Sequence, residues 1–142
     1  RLIVVIACSF ALGAALEKSG VADLAAGYLQ GWAGADPMLT LVLVYIATVV
    51  FTELITNNAA AILMFPIAIA SATGHGVDPM PFVIATMMAA SAGFITPIGY
   101  QTNLMIYAPG GYRFTDYLRV GAPLSLVVGL AVLWAIPLFW PF

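Results

Sequence analysis

The chain has 142 residues, of which 63% are hydrophobic and 7% are charged, and its mean hydropathy is +1.08. Soluble globular domains carry about 25% charged residues, so this composition excludes that class and predicts an integral membrane protein. The net charge of −2 and the lack of a basic run argue against nucleic acid as a partner, and a single cysteine argues against a disulfide framework or a thiolate metal cluster.

The first two predicted elements are helices of different character. Residues 1–17 are strongly apolar and predict a membrane helix that ends at the sequence EKSG. Because the chain opens with Arg1 in an apolar run, we expect residue 1 to be internal to a longer protein. Residues 20–34 carry apolar and aromatic residues at helical spacing, including Tyr28 and Trp32. Tyr and Trp favour the membrane interface, so we expect an amphipathic helix that lies there.

Residues 37–72 form an apolar tract of about 35 residues, which is too long for one span of about 20 residues and just short of two. Only the sequence TELITNN, residues 52–58, interrupts it. This interruption has no Gly or Pro and no charge apart from Glu53, unlike a loop that emerges into water. We therefore predict a re-entrant hairpin of two helical arms, whose polar tip stops inside the protein.

A third apolar tract, residues 80–107, is interrupted by the sequence TPIGYQTN at residues 96–103. Pro97 cannot donate a backbone hydrogen bond and Gly99 loosens a helix. These two residues predict a broken membrane helix.

A final membrane helix is predicted over residues 117–141. Arg113 and Arg119 cluster near its start, and the positive-inside rule places them in the cytoplasm. Both ends of the tract 37–72 then lie outside. Two full crossings in place of the hairpin would leave this topology unchanged, so topology does not decide between them. In either case the sequence predicts an all-α, polytopic membrane protein.

The two interruptions are both rich in Thr and Asn and fall at similar depth. Broken helices leave free backbone amides, which favour an anion, and free carbonyls, which favour a cation. A pair of such segments is typical of the binding site of a secondary transporter. The alternative for each Thr or Asn is a hydrogen bond between membrane helices.

The sequences TELITNNAAAILMFPIA and TPIGYQTNLMIYAPGGYRFTDYLRVGAP resemble the second hairpin and the broken helix of the divalent anion:sodium symporter family, in its sodium/sulfate-type branch. The resemblance covers nearly the whole chain as the carboxyl-terminal of two inverted repeats. It implies sodium-coupled transport of a small divalent oxyanion by alternating access, in the plasma or inner membrane of the cell. The implied partners are the amino-terminal repeat, the lipid bilayer and a second copy in a homodimer, with no cofactor beyond the coupling sodium.

The resemblance also carries site residues onto this sequence. The residues implied to hold sodium, which is the only metal implied, are Thr52, Ile55 through its carbonyl, Thr56, Asn57 and Gly99. The residues implied to contact the anion are Asn57, Asn58, Gln101, Thr102 and Asn103. The family's tip motif is Ser-Asn-Thr, where this chain has TNN, and its dicarboxylate members tend to carry GTPPN at the break, where this chain has GYQTN. Both departures favour sulfate, and a succinate-like or citrate-like acid is the alternative substrate.

Glu53 is the one charged residue in its apolar tract. It could pair with a residue of the amino-terminal repeat, cap backbone amides at the tip or carry a proton, and a structural or sodium-tuning role is favoured. A membrane enzyme that uses Glu53 as a general base is an alternative of a different class. No activated nucleophile or metal-ligand cluster accompanies Glu53 in the sequence, so we do not expect an enzyme. A passive channel is the other alternative, which uptake against a gradient would distinguish.

Overall fold

A computed structural model of the protein describes residues 8, 11, 12, 14–16 and 18–142. The membrane helix predicted for residues 1–17 lies largely outside the described residues. From Gly20 onward the chain is built of helices and connecting loops, and the all-α fold class is confirmed. The helices are α1 Val21–Ala33, α2 Pro37–Leu54, α3 Asn57–His75, α4 Met80–Ala90, α5 Gln101–Tyr107 and α6 Phe114–Phe139. By length and apolar composition, α2, α3 and α6 could each cross a membrane.

The helices α2 and α3 form an antiparallel hairpin, in which only Ile55 and Thr56 connect the two arms. At the opposite end of the hairpin, Thr40 in the first turn of α2 hydrogen-bonds His75 in the last turn of α3 at 2.8 Å. The arms have 18 and 19 residues. At 1.5 Å per residue each arm is about 27–29 Å long, close to the roughly 30 Å hydrocarbon core of a bilayer. That the tip stops inside the membrane stays a prediction.

Local sequence signals set the outer ends of the hairpin. Asp36 caps α2 because its side chain accepts a hydrogen bond from the amide of Met38 at 2.9 Å. Pro37 takes the first helical position, where a backbone donor is not needed. Gly76 ends α3 in the left-handed region, with a φ of 68° that favours glycine.

The helix α4 ends at Ala90, and the chain is irregular over residues 91–100 until α5 begins at Gln101. We refer to residues 91–100 as the break loop. The break therefore starts earlier than the interruption seen in the sequence at residues 96–103, and residues 101–103 are already helical. The break starts earlier because the break loop contacts the hairpin, and these tertiary contacts are not visible in the sequence pattern.

The core lies where α4 packs between the two arms of the hairpin. Its large, fully buried side chains include Leu41 and Val44 from α2, Met64 from α3 and Phe82 from α4. The helix α6 packs against this group through Val132 and Ile136. The hairpin and the break loop are thus supported by one apolar core.

The helix α1 packs a small-residue face against the hairpin and exposes an aromatic face. Ala22 is 2% exposed, and the side-chain nitrogen of Gln30 donates to the carbonyl of Ser71 in α3 at 3.1 Å. Tyr28 and Trp32 are 71% and 83% exposed. A face of this kind suits the membrane interface, which stays a prediction for α1.

The helix α6 approaches the break loop and α2 at two glycines. A side chain at Gly121 would meet the backbone carbonyl of Phe94 in the break loop. A Cβ at Gly129 would lie 3.2 Å from the ring of Tyr45 in α2. Glycine at these positions therefore lets α6 lie close to the elements that form the site.

Labelling of single cysteines from one side of the membrane tests the re-entrant hairpin. Ala35 and Thr73 are exposed. Cysteines at these positions should react with an impermeant reagent added outside, because the sequence predicts that both ends of the hairpin lie on that face. A cysteine at Asn58 is the discriminating variant, because only a full crossing would place it in cytoplasmic water. We expect position 58 to react from the cytoplasm only in a substrate-dependent manner. Free reaction from the cytoplasm in every state would contradict the hairpin.

Candidate functional site

The hairpin tip, residues 52–58, places the end of one helix beside the beginning of the next. Ile55 is the first residue after α2, and its amide donates to the carbonyl of Phe51 at 2.9 Å. The next helix, α3, begins at Asn57. Thr56 caps α3 because its hydroxyl oxygen accepts from the amide of Ala59 at 3.4 Å. Carbonyls at the end of α2 and amides at the start of α3 therefore meet at one turn, which suits a cation beside an anion.

Glu53 joins the hairpin tip to the break loop. Its side chain is 8% exposed, and its two carboxylate oxygens accept hydrogen bonds from the amides of Ile95 at 2.9 Å and Thr96 at 2.7 Å. The hydroxyl of Thr96 donates in return to the backbone carbonyl of Glu53 at 3.0 Å. Glu53 therefore caps backbone amides, as one of the sequence alternatives proposed, but those amides belong to the break loop and not to its own tip.

The hydrogen bonds that join Glu53 to Ile95 and Thr96, which we call the clasp, also set the position of Gly99. Its amide donates to the hydroxyl oxygen of Thr96 at 3.0 Å. A Cβ at Gly99 would lie 2.8 Å from the carbonyl oxygen of Thr52 and 3.1 Å from a carboxylate oxygen of Glu53. The break loop thus passes directly against the backbone of the hairpin tip, which only glycine allows without displacement.

Thr52 lies at the centre of this contact and is fully buried. Its hydroxyl donates to the carbonyl of Ala90, the last residue of α4, at 2.7 Å. The hydroxyl oxygen keeps its lone pairs when its hydrogen is donated, so it can still bind a cation. The structure therefore brings together the backbone and side-chain oxygens of Thr52, the end of α4 and Gly99, a set of oxygen ligands suited to a hard cation.

The other predicted cation ligands, Ile55, Thr56 and Asn57, follow Thr52 along the hairpin tip. Asn57 is half-buried, and its side-chain oxygen accepts from the amide of Asn58 at 3.0 Å. Thr56 and Ile55 are exposed. The structure therefore brings Thr52 and Gly99 into contact and places the remaining three predicted ligands on the same turn.

The predicted anion-binding residues divide into two groups. Asn58, Gln101 and Thr102 are exposed at the starts of α3 and α5. Asn103 uses its side-chain nitrogen within the break, where it donates to the carbonyls of Gly93 at 3.1 Å and Thr96 at 3.4 Å. In this arrangement the amide hydrogens of Asn103 hold the break loop together.

Two residues of the site were not singled out from the sequence, Thr96 and Tyr117. Thr96 precedes Pro97, and a residue before proline is driven towards extended backbone, which is the signal that could have marked its amide as free for a partner outside a helix. The hydroxyl of Tyr117 in α6 donates to the carbonyl of Asn103 at 3.0 Å. No sequence pattern indicated this contact, because it joins two separate helices.

Comparison with known proteins gives consistent matches over the chain. The family model described as "Citrate transporter" matches residues 1–142. An uncharacterised transporter of Synechocystis is 47% identical over 128 residues, which cover 84% of the chain and 20% of the relative. Sodium/sulfate cotransporter 1 of Chlamydomonas reinhardtii is 42% identical over 127 residues, which cover 85% of the chain and 14% of the relative. Solute carrier family 13 member 2 of Rattus norvegicus is 27% identical over 144 residues, which cover 98% of the chain and 24% of the relative. The chain thus spans 14–24% of the length of these relatives.

The contact at Gly99 predicts a stability difference between two Gly→Ala variants of the full-length protein. Gly99→Ala should lower the free energy of unfolding by about 1–3 kcal/mol, because the added methyl group meets fixed backbone of the hairpin tip. Gly27→Ala in α1 is the control, since no atom of the described residues lies within 4 Å of the added Cβ and alanine favours the helix. Unfolding of both purified variants provides the measurement. Equal stability of the two would contradict the close contact.

Proposed function

The chain belongs to the citrate transporter family, one of the divalent anion:sodium symporter group, and from this premise we propose that it forms the carboxyl-terminal repeat of a sodium-coupled anion transporter. The observation that carries the proposal is the contact between two helix breaks at Glu53. Such paired breaks are the usual construction of ion and substrate sites in secondary transporters. The membrane setting follows from the family and from the apolar helices.

Sodium is bound where the hairpin tip and the break loop touch. The hydroxyl and carbonyl oxygens of Thr52 and the backbone at Gly99 form the buried side of this position, and the carbonyl of Ile55, Thr56 and Asn57 complete it. A bound sodium ion adds a positive charge beside the amino-terminal end of α3, where the helix dipole is also positive. That charge offsets part of the desolvation cost of a nearby anion, which couples the two binding events.

The anion is bound by neutral donors from both breaks. Asn57 and Asn58 supply side-chain amides at the hairpin tip, and Gln101 and Thr102 supply an amide and a hydroxyl at the start of α5. Asn103 contributes by closing the break loop that presents these two residues. Amide and hydroxyl donors around a compact position suit sulfate, an ion that stays fully charged at neutral pH without requiring protonation of the site.

The names of relatives support sulfate as the substrate, since Chlamydomonas reinhardtii sodium/sulfate cotransporter 1 shares 42% of the aligned residues. A citrate-like or succinate-like acid is the second candidate, and the description of the matching family supports it. The two candidates differ in chemistry, because a dicarboxylate needs donors at two separated ends. The donors of this chain would then serve one end only.

The transporter works by alternating access, with the hairpin and the broken helix moving as one block. Its proposed partners are an amino-terminal repeat in the same protein, the lipid bilayer and a second copy in a homodimer. The proposed location is the plasma or inner membrane, with multiple spans. A transporter of this family needs no catalytic group, and Glu53 is occupied by backbone amides and so is not presented as a free base.

Substitution of Asn57 tests the shared site. Asn57→Ala should reduce transport at least about tenfold, because one charge-assisted hydrogen bond contributes roughly 1.5–3 kcal/mol. The sodium concentration for half-maximal uptake should rise as well, since the same residue faces both ligands. Thr73→Ala is the control, because the Thr73 hydroxyl donates to the carbonyl of Ile69 within the same helix, at 2.9 Å, at the end of the hairpin away from the tip. A folded Asn57→Ala protein with unchanged sodium dependence would show that Asn57 is not a sodium ligand.

Competition for sodium-driven uptake by the full-length protein identifies the anion. Sulfate, thiosulfate and molybdate should inhibit uptake of labelled substrate more strongly than succinate or citrate, because they are compact and tetrahedral. Replacing sodium with choline should abolish uptake in every case. Strong inhibition by succinate with none by sulfate would assign the protein to the dicarboxylate transporters instead.

A further inference from the structure

We propose that Glu53 is the positioning residue of this site: its carboxylate holds the break loop on the hairpin tip, so that oxygens of Thr52 and Gly99 face one sodium position. The inference rests on the proposed function, since the cation is the coupling ion. Glu53 acts through the backbone that it orients and does not itself need to bind the ion. It therefore connects the two halves of the site.

The geometry of the carboxylate supports this role. Each oxygen accepts one amide, from Ile95 at 2.9 Å and from Thr96 at 2.7 Å, so two successive peptide groups are fixed by one side chain. An ionised carboxylate is suited to two donors because both of its oxygens are acceptors. A glutamine has one oxygen and one NH₂ group, and the NH₂ group would face an amide donor. A neutral side chain of the same shape therefore cannot make the same contact.

A continuous chain of hydrogen bonds leads from Glu53 to Gly99. The hydroxyl of Thr96 donates to the backbone carbonyl of Glu53 at 3.0 Å and accepts from the amide of Gly99 at 3.0 Å. Gly99 in turn lies against the carbonyl of Thr52. A shift of the Glu53 carboxylate would therefore move Gly99 relative to Thr52 and change the spacing of the proposed sodium ligands.

The effect of position can be separated from the effect of charge. Glu53 is 8% exposed, and the other residues proposed for the site are neutral. Charge alone would act at a distance and would survive shortening of the side chain by one methylene group. The clasp would not survive it, because an aspartate cannot reach the amides of both Ile95 and Thr96. Glu53→Asp therefore distinguishes the two explanations, and Glu53→Gln removes both effects.

The experiment measures uptake of sulfate, or of the anion found by competition, by the full-length protein in liposomes. For Glu53→Gln and Glu53→Asp, the sodium concentration for half-maximal uptake should rise at least about tenfold, which corresponds to the loss of a charge-assisted hydrogen bond. The KM for the anion at saturating sodium should change less. Thr48→Val is the matched control, since Thr48 is buried one turn earlier in α2 and its hydroxyl donates to the carbonyl of Val44 within the same helix at 2.7 Å. This control should retain the wild-type sodium dependence.

Thr96→Val gives an independent test, which also decides the question if a Glu53 variant fails to fold. It removes the other side chain of the clasp and should raise the sodium requirement in the same direction. Combined with Glu53→Gln, its effect should be less than additive, because both residues hold the same loop. Wild-type sodium dependence in Glu53→Asp or in Thr96→Val would overturn the positioning role. Uptake by the wild-type protein that is independent of sodium would instead contradict the proposed function.

Discussion

The buried carboxylate of Glu53 and the free amides of the break loop require each other. A carboxylate that is 8% exposed among apolar helices is strongly destabilising unless donors surround it. The half-buried amides of Ile95 and Thr96 lie outside any helix and would also be destabilising without an acceptor. Because each group satisfies the other, the hairpin and the broken helix are fixed at a single relative position. The rest of the site depends on that position.

The contact at Glu53 leaves other backbone groups available for ligands. The oxygens of Thr52 and the backbone at Gly99 lie where the hairpin tip touches the break loop, and α3 begins a few residues further along the same tip. Oxygens favour a cation and the amino-terminal end of a helix favours an anion, which supports the proposal that the two ligands bind next to each other. A site assembled largely from backbone also explains why few charged side chains are needed in a protein proposed to move charged substrates.

Much of the architecture was accessible from the sequence, because composition and periodicity report directly on burial in lipid. The apolar tracts and their polar interruptions indicated an all-α membrane protein with two broken segments. The partners of Glu53 were not accessible, since they are backbone amides 42 and 43 residues away and backbone donors have no residue-specific signal. For the same reason, the sequence pattern indicated a break that starts at residue 96, whereas the break loop starts at residue 91. The helix α4 ends at Ala90, whose carbonyl accepts from the hydroxyl of Thr52, and such a tertiary contact is not visible in the sequence.

We propose that sodium binds where the hairpin tip meets the break loop. Amide hydrogen exchange of the full-length protein, compared in sodium and in choline, tests this most directly because exchange reports local opening. The account predicts slower exchange in sodium for the amides of the break loop, residues 91–100. Exchange in the second half of α6, away from the site, should be unchanged. Equal exchange of the break loop in the two salts, with sodium-driven uptake intact, would contradict the account.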